Sequence, residues 1–309
     1  MAAHPLTEHF RYFFARLNPS GSFEAQASSH YSSIKRLIED RSGLASALSP
    51  QCFLQGSYRQ ATAIHSINDV DVVALCSLWQ PGDGSGTGWT RDEIFDTIAA
   101  PLLADGRYRA KVRYGPTSMC VKVDLGIKVE ILPVVYKQGN SDASKEPFRL
   151  FRPETAQWED GYARYHQQWL TWKNSDDKTA GNFIPAIKVL KHLRSIFGID
   201  AVSFHIECLL FRLPDEVFRG APADYIPAVL ASMTSATPDA MYLAGCTTPC
   251  GDRNVFTQGE WDVTKWFLFH EMATKWAAAA QAASRSGDRH FAISMWRTLL
   301  GADYFPEYL

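Results

Sequence analysis

The spacing of apolar residues in the first half of the chain switches between the periods of helices and strands. Apolar side chains recur every three or four residues over 7–18, 22–44 and 90–104, which predicts amphipathic helices. Alternation of apolar and polar residues predicts strands with one buried face. The predicted strands are 52–55, 69–78, 107–114, 118–124 and 127–136. We therefore predict a mixed β-sheet accompanied by helices.

The second half of the chain is predicted to be helical. Gly, Asn, Ser, Lys, Glu and Pro dominate 137–156, which predicts a hinge, and the glycine-rich tract 81–88 predicts a surface loop. Beyond the hinge, the predicted helices are 157–173, 180–197, 203–213, 222–233, 261–285 and 289–300. The predicted fold is α+β, with a strand-bearing lobe over 1–150 and a helical lobe over 151–309.

Composition narrows the class of protein. The chain has 309 residues, of which 46% are hydrophobic and 21% charged, as expected for a globular protein of two lobes. No apolar run approaches the roughly 20 residues that span a bilayer, and the first residues lack the pattern of a signal peptide. We therefore expect a cytoplasmic protein without a membrane partner. With 31 basic and 33 acidic residues, the chain lacks the positive excess typical of proteins that grip long nucleic acids.

Two aspartates open the apolar strand 69–78. Side chains at i and i+2 of a strand point to the same face, so Asp69 and Asp71 bring two carboxylates together. Such a pair repels itself unless a cation lies between the two groups. Carboxylate oxygens and substrate phosphates are ligands of Mg²⁺, so the pair predicts half of a metal site for phosphoryl or nucleotidyl transfer.

A Gly-Ser turn precedes these aspartates. At Gly56 the backbone can approach a ligand closely, and the Ser57 hydroxyl and nearby amides can hold a triphosphate. The turn lacks the GxxxxGK[ST] and GxGxxG patterns, which weakens the interpretations as a P-loop or a dinucleotide site. An isolated Gly-Ser pair or Asp-x-Asp pair is more often an ordinary turn or strand edge. Their order and separation favour the phosphate interpretation.

A two-metal site requires a third carboxylate, and the hairpin 118–136 offers two. Asp124 lies beside the tight turn at Leu125-Gly126, where a solvated aspartate is ordinary. Glu130 interrupts the apolar run of the second strand, where a charge is costly without a cation or partner. We favour Glu130 as the third ligand.

These residues resemble a known family. The order Gly56-Ser57, Asp69-x-Asp71 and a carboxylate strand ending Glu130-Ile131-Leu132-Pro133 resembles polymerase-β-like nucleotidyltransferases. More narrowly, the segment QGSYRQATAIHSINDVDVVAL is similar to the bacterial cGAS/DncV-like nucleotidyltransferases (CD-NTases), relatives of animal cGAS and the oligoadenylate synthases. The resemblance implies a nucleotidyltransferase lobe followed by an oligoadenylate-synthase-like helical lobe. The family's third carboxylate is usually aspartate, whereas this chain has glutamate.

The resemblance extends into the second half of the chain. The string IKVLKHLR is similar to a family helix that directs a lysine toward the donor triphosphate, which implies that role for Lys191. By position, Ser203 inherits a triphosphate contact and Phe204 a stacking contact with a base, and CGDRNV at 250–255 is similar to a segment bordering the nucleotide pocket. From the residues alone, Lys191 is a surface charge, Ser203 a helix N-cap and Phe204 a core residue.

The resemblance implies the following activity. Asp69, Asp71 and Glu130 hold two Mg²⁺ ions, with Mn²⁺ as an alternative, while Gly56 and Ser57 hold the donor NTP, ATP among the substrates. The enzyme joins two or three nucleotides into a ring, and this messenger activates a separate effector protein in anti-phage defence. Two alternatives remain open: modification of a small molecule or an RNA 3′ end, and a catalytically silent nucleotide sensor. The bases, linkages, ring size, activating signal and oligomeric state are not specified by the sequence.

Overall fold

The computed structural model describes residues 6–80, 88–138, 146–153 and 155–309. The helices in this part of the chain are α1 Thr7–Leu17, α2 Gly21–Ile38, α3 Gly56–Arg59, α4 Arg91–Ala104, α5 Ala163–Lys173, α6 Asp176–Thr179, α7 Phe183–Ile196, α8 Ser203–Phe211, α9 Pro222–Met233, α10 Pro238–Ala244, α11 Val263–Arg285 and α12 Arg289–Leu300. The strands are β1 Gln51–Gln55, β2 Asp69–Gln80, β3 Val112–Arg113, β4 Val121–Asp124, β5 Lys128–Lys137, β6 Phe148–Arg152 and β7 Gln157–Gly161. Short 3₁₀ helices cover Ser46–Leu48 and Asp215–Phe218.

The described residues form two compact units that interleave along the chain. The helical unit contains the described parts of Met1–Pro19, Thr62–His65 and Gln168–Leu309, and the sheet unit contains those of Ser20–Ala61 and Ser66–Gln167. Along the sequence, the last change from the sheet unit to the helical unit lies between residues 167 and 168, and the division into lobes over 1–150 and 151–309 stays a prediction. In addition, the first helix and a four-residue stretch before β2 are grouped with the helical unit.

The sheet unit is built around two parallel strands. Strands β2 and β5 run parallel, and the strand order along the main path is β1-β2-β5-β4-β3, with all other neighbours antiparallel. Strand β6 pairs with the far half of β5 and with β7, which gives seven strands within the described residues. The sheet is mixed, as predicted, and the α+β class is confirmed.

The two faces of this sheet have different environments. Alternate residues of the central strands pack against α2 and α4; they include Val70, Val72, Ala74, Val129, Ile131 and Val135. Burying each valine or isoleucine contributes roughly 1.5–3 kcal/mol, so this face fixes the register of both strands. The opposite face carries a smaller apolar cluster at one end, formed by Val73, Leu75, Val134, Tyr136 and Phe148. The residues before Val73 on that face are polar.

The helical unit has a core rich in aromatic side chains. The buried residues Trp261, Trp266, Phe269 and Trp276 pack against one another, as expected for an aromatic stripe at helical spacing. Helix α7 contributes many buried apolar residues to the same core. Within the described residues, no helix combines the length and apolarity needed to cross a membrane.

Several element boundaries differ from the predictions. Helix α2 ends at Ile38, before the glycine at 43, and the segment predicted as 107–114 contributes only the two residues of β3. Strand β6 lies inside the predicted hinge, and β7 replaces the start of the helix predicted from 157, because the two strands pair as a hairpin. Residues 81–87 of the predicted loop, and 139–145 and 154 of the predicted hinge, lie outside the described residues.

Candidate functional site

The parallel register brings two of the three predicted carboxylates side by side. Asp71 of β2 is the direct partner of Glu130 of β5, and Asp69 precedes Asp71 by one strand period. Their neighbours Val70, Val72, Val129 and Ile131 face the helices, so these three side chains point to the opposite face. All three carboxylate residues are partly buried. The sheet unit therefore presents Asp69, Asp71 and Glu130 on one face.

Gly56 lies directly against Asp71. The residue has φ +68°, and a Cβ built at Gly56 would lie 1.8 Å from Asp71 Oδ2. Only glycine tolerates both the left-handed backbone and this approach without displacement of the carboxylate. Ser57 follows as the second residue of the short helix α3, so the Gly-Ser turn and the aspartate strand are neighbours, as the interpretation of this segment requires.

Lys122 of β4 occupies the other side of Glu130. The two residues are cross-strand partners, and Lys122 Nζ donates to Glu130 Oε1 over 2.8 Å. This hydrogen bond raises the pKa of Lys122; burial opposes the shift, and the negative charges of Glu130 and Asp69 add to it. Lys122 is not among the site residues predicted from the sequence. The available signal was the alternation of β4, which places Lys122 and Asp124 on the face opposite Val121 and Val123.

Burial and the neighbouring carboxylates both affect the pKa of the Cys120 thiol. Burial raises the pKa of Cys120 to about 12, and the negative charges of Glu130 and Asp71 add to the effect. The thiol therefore stays protonated at neutral pH and is a poor nucleophile. The proximity of the two carboxylates itself rests on the direct pairing of Asp71 with Glu130.

The donor chemistry of the three carboxylates fits a hard divalent cation. Hard oxygen ligands suit Mg²⁺ and Mn²⁺, and the ligands come from two rigid strands. Within the described residues, however, no three His, Cys, Asp or Glu side chains are gathered closely enough to hold a metal ion. In this structure Lys122 supplies the positive charge beside Glu130. The three side chains therefore have the oxygen ligands that the metal prefers and lie on the same face of the sheet. Their carboxylate groups are not close enough together to coordinate one ion.

Lys191 belongs to the helical unit and is buried. Its ammonium donates to Thr62 O over 3.2 Å, to Thr62 Oγ1 over 2.9 Å and to Glu207 Oε1 over 2.7 Å. These three acceptors match the three hydrogens of the ammonium group. The surface position expected from the residues alone is wrong, since the Lys191 side chain is 3% exposed. A triphosphate contact for Lys191 stays a prediction, and this arrangement gives it no support.

Ser203 begins α8 and lies beside a basic group. Its N-cap position is taken by Val202, and Arg194 donates to Ser203 Oγ over 3.1 Å and to Ala201 O over 2.6 Å. Burial lowers the pKa of Arg194, and the charge of Asp200 opposes this shift. Arg194 is the last residue of the string IKVLKHLR, in which the resemblance implied a role only for Lys191. A guanidinium beside a helix start provides charge of the sign that a phosphate requires.

Phe204 is partly buried against the core of the helical unit. The Arg253 guanidinium lies over its ring, 5.2 Å from the centroid, and Arg253 also donates to Glu260 Oε1 over 2.6 Å. Arg253 belongs to the CGDRNV segment, so the structure brings two of the predicted nucleotide-contacting regions together. Stacking of a base on Phe204 stays a prediction.

Two family models match the chain in succession. The Second Messenger Oligonucleotide or Dinucleotide Synthetase domain matches residues 5–174, which is more than half of the chain. The cGAS/DncV-like nucleotidyltransferase C-terminal helical domain matches residues 171–277. Both matches confirm the resemblance predicted from the motifs.

Known proteins of similar sequence and structure agree with these matches. A cyclic UMP-AMP synthase of Rhodothermus marinus is 25% identical over 202 residues, which cover 59% of this chain and 69% of that protein. The structure of Vibrio cholerae DncV with ATP, GTP and 5MTHFGLU2 aligns with a TM-score of 0.74 at 10% identity, covering 98% of this chain and 97% of that one. The Escherichia coli MS115-1 CdnC structure in complex with HORMA-deltaN aligns with a TM-score of 0.73 at 16% identity, covering 97% and 98%.

Proposed function

We propose that this chain catalyses a Mg²⁺-dependent reaction at the carboxylate face, which is the sheet face that carries Asp69, Asp71 and Glu130. The chain belongs to the Second Messenger Oligonucleotide or Dinucleotide Synthetase family and is a nucleotidyltransferase of the kind that makes cyclic oligonucleotides. The proposed product is a cyclic di- or trinucleotide made from NTPs, with ATP among them. One observation carries the assignment of the site. The register of β2 and β5 pairs Asp71 with Glu130 on the face where Gly56 touches Asp71.

In the proposed mechanism, Asp69, Asp71 and Glu130 hold two divalent cations, and Gly56 and Ser57 hold the donor triphosphate. Divalent cations, when bound there, would neutralise negative charge and lower the pKa of the attacking ribose hydroxyl. The hydroxyl releases its proton to solvent, its oxygen forms a bond to the donor α-phosphorus, and the bond from that phosphorus to the pyrophosphate oxygen breaks, so that pyrophosphate leaves with the electron pair. The protein would contribute mainly position and electrostatics, because the three carboxylates are carried by two directly paired strands of the sheet.

Removal of the aspartates tests this assignment. We expect Asp69→Ala and Asp71→Ala to lower pyrophosphate release from mixed NTPs by about 10³-fold or more, because several kcal/mol of charge stabilisation is lost. Asp124→Asn is the matched control, since Asp124 is an exposed acid at the end of β4. Circular dichroism should show that all three variants are folded. Wild-type turnover in the folded Asp71→Ala variant would refute the site.

Product analysis tests the proposed ring. With NTPs alone, the wild-type enzyme should yield a nucleotide product that resists phosphatase, because cyclisation leaves no terminal phosphate. Mass spectrometry of reactions with each NTP pair would identify the bases and the ring size. A requirement for a small-molecule acceptor or an RNA 3′ end would overturn the proposal of a cyclic product.

A nucleotide sensor without catalysis is the second candidate. The contact of Lys122 with Glu130 favours it, because that lysine competes with a cation for the carboxylate. ATP binding without pyrophosphate release in both Mg²⁺ and Mn²⁺ would support the sensor. For the active enzyme, we further propose that the product activates a separate effector protein in anti-phage signalling. This role rests on the family resemblance alone.

A further inference from the structure

Four charged residues form one row across the carboxylate face. Asp71 of β2 pairs with Glu130 of β5, Glu130 pairs with Lys122 of β4, and Lys122 pairs with Arg113 of β3. Cross-strand partners share a face of the sheet. Their apolar neighbours are buried on the other face; they include Val112, Val121, Val123, Val129 and Ile131. The row therefore contains two acidic positions followed by two basic ones, all within the sheet unit.

The neighbouring row has a different order of charges. Asp69 pairs with Lys128, and Lys128 pairs with Asp124, so acidic and basic residues alternate. In the first row, residues of like charge lie directly opposite each other, which is destabilising unless an ion of opposite charge lies between them. The acidic end of that row requires a cation. By the same argument, its basic end, Lys122 and Arg113, requires an anion; we call these two residues the basic pair.

The basic pair is accessible to a ligand. Arg113 is exposed and donates to Val112 O over 2.7 Å, and within the described residues no carboxylate forms an ion pair with it. Lys122 contacts Glu130, but its side chain is 53% exposed, and a solvated ion pair of this kind exchanges partners at a small cost in free energy. The Lys122 ammonium can therefore turn toward an anion that lies beside Arg113.

Position along the sheet indicates which anion the basic pair binds. The strand order is β1-β2-β5-β4-β3, so the Gly-Ser turn that follows β1 and the basic pair lie on opposite sides of Asp71 and Glu130. In the proposed mechanism, pyrophosphate leaves on the side of Gly56 and Ser57. The attacking and leaving oxygens of phosphoryl transfer lie roughly in line. The attacking hydroxyl therefore arrives from the side of the basic pair.

Distance separates this anion from the reacting phosphate. Neighbouring strands lie about 4.8 Å apart, so the midpoint of the basic pair is roughly 10 Å from the midpoint between Asp71 and Glu130. A divalent cation holds an oxygen ligand at about 2 Å. The basic pair therefore contacts a different part of the substrates. The 5′-phosphates of the attacking nucleotide fit this position, because they lie across the ribose from the hydroxyl that reacts.

We propose that Lys122 and Arg113 bind the 5′-triphosphate of the acceptor nucleotide, which is the NTP whose ribose hydroxyl attacks. The inference rests on the proposed function, because a reaction between two NTPs supplies an acceptor that carries phosphates. Arg113 provides a planar guanidinium that can bind two phosphate oxygens at once, and Lys122 provides a compact charge beside it. The acceptor is held on the side of Glu130, and Gly56 and Ser57 are left to the donor.

Truncation of the acceptor tests the proposal. A nucleoside added to the NTP mixture can act only as an acceptor, so mass spectrometry of the products compares acceptors with and without phosphates. We expect the wild type to prefer the NTP about 100-fold, because each of two charged contacts contributes about tenfold. In Arg113→Ala/Lys122→Ala the preference should fall at least tenfold. Arg36→Ala is the matched control, since Arg36 is exposed on α2, which packs on the opposite face, and the preference should stay within twofold.

Binding of tripolyphosphate provides a readout without turnover. In EDTA, calorimetry should show at least tenfold weaker binding by Arg113→Ala/Lys122→Ala than by the wild type, whereas Arg36→Ala and Ser57→Ala should bind within twofold of the wild type. Circular dichroism should show that all variants are folded.

Either of two results would overturn the inference. The first is an unchanged preference or unchanged tripolyphosphate binding in Arg113→Ala/Lys122→Ala. The second is an equal loss in Arg36→Ala, which would indicate net charge alone, or in Ser57→Ala, which would place the anion at the Gly-Ser turn. If the wild type released no pyrophosphate, the proposed function would fail, and the binding comparison would still decide whether the basic pair is an anion site.

Discussion

The two units each contain a lysine–glutamate pair of nearly the same length but of opposite character. In the sheet unit, Lys122 and Glu130 are 2.8 Å apart, and their side chains are 53% and 25% exposed. In the helical unit, Lys191 and Glu207 are 2.7 Å apart and almost wholly buried. The first pair lies on the carboxylate face beside Asp71. The second pair closes a network around Thr62.

Burial, rather than distance, determines what each pair does. A solvated ion pair contributes about 0–1 kcal/mol, so it can exchange one partner for another at little expense. A buried charge left without its partner costs about 3–5 kcal/mol, so a buried pair fixes its geometry. A cation can therefore replace Lys122 beside Glu130 at a small cost in free energy, whereas separation of Lys191 from Glu207 would leave a buried charge without a partner. The comparison predicts an exchangeable contact on the carboxylate face and a permanent one inside the helical unit.

Truncation of the buried pair should have the largest effect. We expect Glu207→Ala to lower the free energy of unfolding by about 3–5 kcal/mol, because the buried Lys191 ammonium loses its carboxylate partner. Urea unfolding followed by circular dichroism measures the change. Replacement of both charges in Lys191→Met/Glu207→Leu should recover most of the loss, since neither charge then remains buried.

The double variant makes this prediction decisive. If Glu207→Ala and the double variant lost equal stability, the cause would be packing rather than an uncompensated charge. A loss below about 1 kcal/mol in Glu207→Ala would contradict the distinction between the two pairs, because that value is typical of a solvated pair.

The second prediction concerns crowding at the carboxylate face. Gly56→Ala should lower the stability by about 1–3 kcal/mol through the left-handed backbone and should also displace Asp71. Gly126→Ala separates the two causes, because Gly126 has φ +87° but open space around its Cβ position. Calorimetry should show similar losses of stability. Turnover should fall about 100-fold only in Gly56→Ala, since a small misplacement of a reacting group has that effect.

A fall in turnover of the same size in Gly126→Ala would contradict the crowding argument. It would show that backbone strain in the sheet unit, rather than contact between residue 56 and Asp71, limits the reaction.

The carboxylate face was largely predictable from the sequence, because its features are local. The alternation of β2 specified that Asp69 and Asp71 share a face, and a tight turn specified the hairpin that contains Glu130. The direct pairing of Asp71 with Glu130 depends on the parallel register of strands that are distant in the sequence, which local pattern does not encode. The role of Lys122 could not be predicted for the same reason, because it depends on Glu130, the partner of Lys122 on the neighbouring strand.

The environment of Lys191 was not predictable for the same reason. Its spacing on α7 is compatible with a surface or a ligand-facing position, and its partners come from α8 and from a segment before β2. Local composition also misled the assignment of 137–156, because its polar residues obscured the apolar alternation of Phe148 and Leu150 in β6. Tertiary contacts outweighed composition at both places.

The third prediction concerns the pH dependence of stability that the buried His192 causes. Burial lowers the pKa of His192; the hydrogen bond from its ring to Leu300 O opposes this shift, and the nearby His65 adds to it. At a pH between the folded and unfolded pKa values, the unfolded chain binds more protons. Stability should therefore be complete above about pH 6.5 and decrease as the pH falls through the lower folded pKa, with a slope of at most about 1.4 kcal/mol per pH unit for this proton.

Urea unfolding between pH 5 and 7.5 tests this expectation. His192→Gln keeps an N–H donor near Leu300 and removes the titration, so its pH dependence should be flatter than that of the wild type. His290→Gln, at an exposed position of α12, is the control. Equal slopes in the wild type and His192→Gln would assign the acid sensitivity to other groups.

The exchangeable pair should give the smallest change in stability. We expect Lys122→Ala to alter the free energy of unfolding by less than about 1 kcal/mol, and by less still in 1 M salt, because the Lys122 side chain is half exposed. Lys275→Ala, which removes another exposed ion pair, provides the scale for a purely surface effect. Since Lys122 competes for Glu130, its removal should also lower the Mg²⁺ concentration needed for half-maximal turnover by about threefold. A loss of stability comparable to that of Glu207→Ala would show that Lys122 is a structural support, and the contrast between the two pairs would fail.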